Sequence, residues 1–310
     1  MAKDIVNGVL ITGLIFFISV FIPILGFIGA LFIPLPILFY RLKLGRHFGA
    51  IVPAVAGLLM AVVIGNVSLD LLFFAELLLI GFILGELIRF NISLEKTVAF
   101  TAGCALGSGL MALFLFSLVA GQGIFSIVTQ YVAKNLELTM VLYRQMGMPQ
   151  ESIQLITQSL DKIQAVLVSI IPALMTMSTL LVIWINVLLA KPLLEKKYLF
   201  YPDFGPLNRW KTPEPLVWGV IGCAVALFLP VTTIRLIALN GLLILMTLYF
   251  FQGIAIVSFY FEKKRFPRII RIFLYTLIAL QQLVLLAVIG LGFFDLWANF
   301  RKLDRPAGPA

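Results

Sequence analysis

Between Ile5 and Tyr40 the chain runs for 36 positions without one charged side chain. As a single helix rising 1.5 Å per residue this run would be about 54 Å long, against a bilayer hydrocarbon core of roughly 30 Å. It therefore divides, and Pro23, Gly26 and Gly29 supply a turn between Ile5–Ile22 and a shorter, proline-broken Leu25–Tyr40. Directly after it, Arg41, Lys43, Arg46 and His47 form a knot of positive charge. Pro34 and Pro36 precede the knot, and neither fits an undistorted helix interior, because proline lacks an N–H and clashes with the preceding turn.

The same pattern continues through Phe48–Gly65, Leu71–Ile88, Thr97–Gly121, Ile163–Ala190, Leu216–Pro230, Leu236–Phe261 and Ile269–Gly292. The expected fold is an all-α, polytopic transmembrane helical bundle of about nine spans (8–9). Composition agrees: 62% of residues are hydrophobic and 12% charged, with mean hydropathy +1.10. The net charge of +9 is spread over short loops between apolar runs, which is the membrane pattern and excludes a nucleic-acid partner. Of the 23 Lys and Arg residues, sixteen fall on the side of the Arg41 knot, which makes that side, and the N-terminus, cytoplasmic. Nine spans then leave the polar tail, residues 299–310, outside. The apolar run after Lys3 is too long for a cleaved leader and reads as a retained span. Cys104 and Cys223 lie in apolar runs without C-x-x-C spacing, so neither a disulfide framework nor a zinc site is expected.

The domain expectation is a six-span core over residues 1–190, a cytoplasmic loop over 191–214 and three further spans over 215–298. Within the core, the outer region 122–162 carries Ile153, Ile156, Leu160, Ile163 and Leu167 at 3-4-3-4 spacing, an amphipathic helix extending the sixth span. It lies on lipid headgroups or lids an outward pocket. The cytoplasmic loop mixes basic residues with Tyr198, Phe200, Tyr201, Phe204 and Trp210, a composition suited to anionic lipid or to docking a partner, with Tyr201 and Trp210 as its anchors.

Ionisable and amide side chains at membrane depth are the candidates for binding a ligand. Glu76 is expected in the outer half of the fourth span. Gly81 and Gly85 on that helix suit close packing against a neighbour, and lie about 140° and 180° round from Glu76 at 100° per residue. Asn186, Gln252, Gln281 and Gln282 are the further ligand candidates, each with interhelical hydrogen bonding as its plainer role. Gly103 and Gly107 read as a packing face on the fifth span. Glu86 and Arg89, three apart, are expected to pair on one face. Asn66-Val-Ser68 and Asn91-Ile-Ser93 match the glycosylation sequon by chance. The sequence has no G-x-x-x-x-G-K-[ST] loop, no H-E-x-x-H and no G-x-S-x-G, so no catalytic residues, metal ligands or cofactors are assigned and the chain is not expected to be an enzyme.

The segments PLPILFYRLKLGRHFGA, NRWKTPEPLVWG, YFFQGIAIVSFYFEKKRFPR and LGLGFFDLWANFRKL resemble the YybS-like family, bacterial membrane proteins of unknown function, over most of the chain. That family is more distantly similar to the substrate-binding S components of energy-coupling-factor transporters, six-helix proteins that bind vitamins, metals or other small solutes near the outer face. The resemblance implies a multi-pass protein of the bacterial cytoplasmic (inner) membrane, with residues 1–190 as the S-component-like part. S components commonly dock a transmembrane partner through Ala-x-x-x-Ala in the first helix. This chain lacks that pattern there and carries Ala50-x-x-x-Ala54 in its third span.

Two functions follow as expectations. One is a small-solute-binding transport subunit with a small-molecule ligand near Glu76, energised by ATPase subunits on other chains. The alternative is a non-transporting membrane scaffold in envelope or developmental assembly, recruiting a cytoplasmic partner through the 191–214 loop. In both, the lipid bilayer is the first partner.

Overall fold

Where proline and glycine interrupt the apolar run, the chain turns back on itself. In the computed structural model, which describes residues 1–302, every regular element among the described residues is helical. Contacts divide the chain into two units: Met1–Ser169 with Ser178–Asp203, and Ile170–Met177 with Phe204 onward.

The first unit holds α1 (Ala2–Phe21), α2 (Pro23–Ala30), α3 (Pro34–Ile64), α4 (Leu69–Arg89), α5 (Leu94–Ala120), α6 (Ile124–Gln145) and most of α7 (Gln150–Glu195). Ile22 is extended between α1 and α2, and Pro23 opens α2 at a position where its missing N–H costs nothing. The two helices then close together. A Cβ on Gly26 would stand 2.5 Å from the Ser19 carbonyl oxygen. α3 is two helical stretches joined at a kink, and it doubles back at Gly45, whose φ of 81° and ψ of −179° only glycine adopts readily. The reversal brings Gly49 against Arg41, where a Cβ would lie 2.7 Å from the Arg41 Cα. The break thus falls at the charge knot, where the sequence required one. α4 packs on the first half of α3 through its glycines: a Cβ on Gly81 would meet the Pro34 oxygen at 2.5 Å and one on Gly85 the Arg41 Cγ at 2.6 Å. Ile33, Ile37, Leu38, Val52, Met60, Ile80, Leu84 and Ile88 are fully buried around this contact.

The serines of both sequons are helix caps. Ser68 Oγ accepts from Leu71 N at 3.3 Å and Ser93 Oγ from Lys96 N at 3.4 Å. The region expected as an outer loop contains α6, which the sequence reading missed. Tyr131 on α6 donates to Asp70 Oδ1 at 2.8 Å, and Thr129 O accepts from Gln164 Nε2 on α7 at 3.2 Å. α7, at 46 residues, is about 69 Å long and outreaches any bilayer, as its amphipathic start required.

The second unit holds a 3-10 turn (Leu207–Arg209), α8 (Leu216–Ala226), α9 (Thr232–Lys263), α10 (Arg268–Leu280) and α11 (Gln282–Ala298). Here the helices differ in length and direction from the spans expected. α8 has 11 residues, about 16 Å, and ends before Pro230, which cannot continue it. The stretch Ile269–Gly292 is not one straight helix: α10 and α11 are bent by 101° at Gln281. Among the described residues, six helices are long and apolar enough to cross a membrane, or seven if the bent pair counts as one.

The first residues of the C-terminal tail, expected opposite the 191–214 loop, lie against it, while 303–310 fall outside the described residues. Tyr260 Oη donates to Phe300 O at 2.8 Å, Arg301 Nη1 donates to Asn208 O at 2.9 Å, and Asn208 Nδ2 hydrogen-bonds Glu262. The residues after α11, the C-terminal end of α9 and the segment around Asn208 therefore meet at one end of the unit. α9 and α11 cross at two glycines, with backbones so close that a Cβ on Gly253 would stand 2.0 Å from Val288 O and one on Gly292 1.9 Å from Tyr249 O.

Candidate functional site

The polar centre of the second unit is built from Gln252 of α9, Asp295 of α11 and Arg301, which follows α11. α11 ends at Asn299 in the left-handed region (φ 41°), a conformation asparagine tolerates, with its N–H on Asp295 O at 2.9 Å. That reversal folds Phe300 and Arg301 onto the last turn of the helix. Asp295 Oδ1 then accepts from Phe300 N at 2.9 Å, and Oδ2 accepts from Arg301 Nη2 at 2.8 Å and Gln252 Nε2 at 3.1 Å. The Asp295 and Arg301 side chains are 1% and 0% exposed.

The remaining valences of the cluster go to backbone without helical partners. Arg301 Nη1 donates to Asn208 O and Trp210 O, both at 2.9 Å. Gln252 Oε1 accepts from Thr212 N at 3.0 Å. Gln252 lies 11 residues, about 16 Å, before the end of α9. Non-helical backbone at such depth is stable only where protein groups satisfy it, and the guanidinium, carboxylate and amide do so here. Two buried atoms here keep an unmet valence, Arg301 Nε and Asn208 Oδ1, as Arg41 Nη1 and Asn186 Oδ1 do in the first unit. Beside them a groove of about 530 Å³ is lined by Pro206, Asn208, Arg209, Phe259, Glu262 and Lys263. The Lys263 ammonium stands 5.8 Å from the centre of the Phe259 ring.

Of the ligand candidates read from sequence, Gln252 belongs to this cluster and the others stand elsewhere. Asn186, fully buried in the first unit, donates to Leu31 O at 2.8 Å and Val182 O at 2.7 Å, tying α7 to the break between α2 and α3. Glu76 is half-buried and faces α5, where a Cβ on Gly109 would stand 3.1 Å from its Oε2. Gln281 and Gln282 are exposed at the bend between α10 and α11. Trp210 takes part through its carbonyl. Tyr201 Oη donates to Val187 O at 3.2 Å, and burial pushes its phenol pKa up.

Ala50 is half-buried and Ala54 exposed on the second half of α3. Gly103 and Gly107 open onto empty space, so the packing expected there is not made within the chain. The Glu86–Arg89 pair is likewise corrected. Glu86 takes Arg41 in a two-point contact, Nε to Oε1 at 2.8 Å and Nη2 to Oε2 at 2.7 Å, because the glycines of α4 bring Arg41 alongside.

The family described as Predicted membrane protein (DUF2232) matches residues 10–296. The chain belongs to that family. It is 25% identical over 314 residues to the Uncharacterized protein YybS of Bacillus subtilis (strain 168), covering 91% of each chain. No solved structure matches. The family match takes in Gln252 and Asp295 and stops before Arg301.

Asp295, Arg301, Asn208 and Thr212 were missed by sequence reasoning. The signal lay in FDLWANFR: an acid inside an apolar run, a basic residue six positions on, and an asparagine between them fit to end a helix.

Proposed function

We propose that this integral membrane protein is a small-solute-binding subunit of the transport class, and that its binding region is the polar centre of the second unit rather than the surroundings of Glu76. One observation carries the reading: the buried Asp295–Arg301–Gln252 cluster holds the non-helical backbone between Asn208 and Thr212, beside a groove and two buried atoms with unmet valences. Irregular backbone held by buried polar groups lines the solute cavities of membrane transporters. The groove presents both charge signs, through Arg209 and Lys263 and through Glu262, and an aromatic face at Phe259. That chemistry suits a small zwitterionic or hydrogen-bonding solute. The sequence carries no nucleotide-hydrolysing loop, so the energy for movement comes from ATPase subunits on other chains.

The test is a thermal-shift screen of the purified chain against vitamins, nucleobases, amino acids and divalent metals, with Asn208→Ala, Arg209→Gln and Glu76→Gln in parallel. A solute that binds the folded state alone raises its melting temperature. The reading expects a hit lost in Asn208→Ala or Arg209→Gln and kept in Glu76→Gln. A hit lost only in Glu76→Gln moves the site to the first unit. No hit favours the scaffold reading, which draws on the exposed Tyr198 and Phe200 beside Lys196 and Lys197.

A further inference from the structure

The opposite flank of the α9 C-terminus has a different chemistry. A second groove, of about 260 Å³, is lined by Ile256, Val257, Tyr260, Phe261, Phe266, Leu291 and Phe300, with Lys264 as its one charged residue. The Tyr260 hydroxyl is already engaged by Phe300 O, so apolar surface dominates up to the lysine. Lys264 opens a short basic turn, in which Lys263, Lys264, Arg265 and Arg268 are all exposed. Arg271 is tied down instead, donating to Phe266 O at 2.8 Å and Phe261 O at 3.1 Å.

No acidic residue occurs from Lys263 to Phe294, and the nearby Glu262 lines the other groove. From this turn α10 continues as an amphipathic helix whose outward face is apolar, with Ile269, Ile272, Phe273, Leu277 and Leu280 exposed. A basic turn ending an apolar groove and followed by such a helix complements an amphiphile with an anionic head.

We propose that this groove and the Lys264–Arg268 turn form a binding site for one anionic phospholipid, its phosphate at Lys264, Arg265 and Arg268 and an acyl chain along Ile256, Val257 and Leu291. Free phosphate shares the headgroup chemistry but leaves the groove unused. The site is separate from the solute groove and does not depend on it.

The test uses the purified full chain in neutral detergent, titrated with phosphatidylglycerol, with phosphatidylcholine of the same acyl chains and with inorganic phosphate, read by native mass spectrometry and by melting temperature. Phosphatidylglycerol is expected to bind one-to-one at least tenfold more tightly than phosphatidylcholine. The triple variant Lys264→Gln, Arg265→Gln, Arg268→Gln, confined to exposed side chains, is expected to lose that preference. Leu291→Trp, which fills the groove and leaves the charges in place, is expected to weaken binding at least tenfold. Equal binding of the two lipids, a triple variant that keeps the preference, or an equal effect from inorganic phosphate alone would each overturn the proposal.

Discussion

Replacing Arg301 by methionine removes three hydrogen bonds and one buried charge in a single step. Asn208 O and Trp210 O lose their guanidinium donor, and Asp295 keeps only Gln252 Nε2 and Phe300 N. Breaking a buried ion pair by removing one partner costs about 3–5 kcal/mol, because the other charge is left uncompensated. At roughly 2–4 °C per kcal/mol for a chain of this size, the second unit should melt on the order of 10 °C lower. Cys223 offers the readout: it is half-buried on α8, with its Sγ 3.0 Å from where a Cβ on Gly241 of α9 would lie. In a Cys104→Ser background, a thiol-reactive fluorophore reports the opening of that contact alone. Arg301→Lys keeps the charge but cannot serve two carbonyls and a carboxylate in fixed geometry, so an intermediate loss is expected. The double variant Asp295→Leu, Arg301→Met should cost less than the sum of its parts by at least about 1 kcal/mol. If Arg301→Met melts within a degree of the parent, or if the double variant is additive, the cluster does not hold the irregular backbone and the reasoning fails.

Gly292→Ala sets a methyl where Tyr249 O now stands 1.9 Å away, so α9 and α11 must separate. Thermal melts followed at Cys223 should show a loss of about 1–3 kcal/mol, whereas Gly107→Ala, facing open space, should change the melt by under about 0.5 kcal/mol. In the first unit, Arg41→Met strands Glu86, which is 19% exposed with Arg46 nearby, so a loss near the lower end, about 3 kcal/mol, is expected in chemical unfolding. The Tyr131 phenol is pushed up to about 12, by burial first and then by its hydrogen bond to Asp70. A folded-state pKa above the unfolded value of roughly 10 gives stability that is whole below that value and lost as pH rises through about 12. Melting between pH 9 and 12 should therefore fall more steeply for the parent than for Tyr131→Phe.

What the sequence disclosed was set by solvent and by covalent geometry. A 36-residue uncharged run has to fold back in a bilayer, and the prolines and glycines say where, so the turns at Ile22–Pro23 and at the Arg41 knot were legible. Gly81 and Gly85 were legible as a close contact, but their partner was not, because which helix meets them depends on the reversal at Gly45. Glu86 was given its neighbour in sequence, Arg89, when that same reversal had delivered Arg41. Of the three spans assigned to residues 215–298, α9 stands as a span-length helix, while the first and third came out short or bent because apolar composition records immersion in lipid and not helix length. α8 is as apolar as a span and half as long, and the bend at Gln281 carries neither proline nor glycine. Asp295 and Arg301 were overlooked for a related reason: the nine-span count set the tail on the far side from the loop whose carbonyls Arg301 holds.

The account rests on the second unit folding back so that the residues after α11 return to the basic end of α9. Arg265→Cys and Lys302→Cys, each in a chain lacking Cys104 and Cys223, test this directly through labelling by a membrane-impermeant maleimide in right-side-out and inverted vesicles. Both positions are exposed. The account predicts that the two cysteines label from the same side. Labelling from opposite sides would mean that α10 and α11 together cross the membrane, and would contradict it.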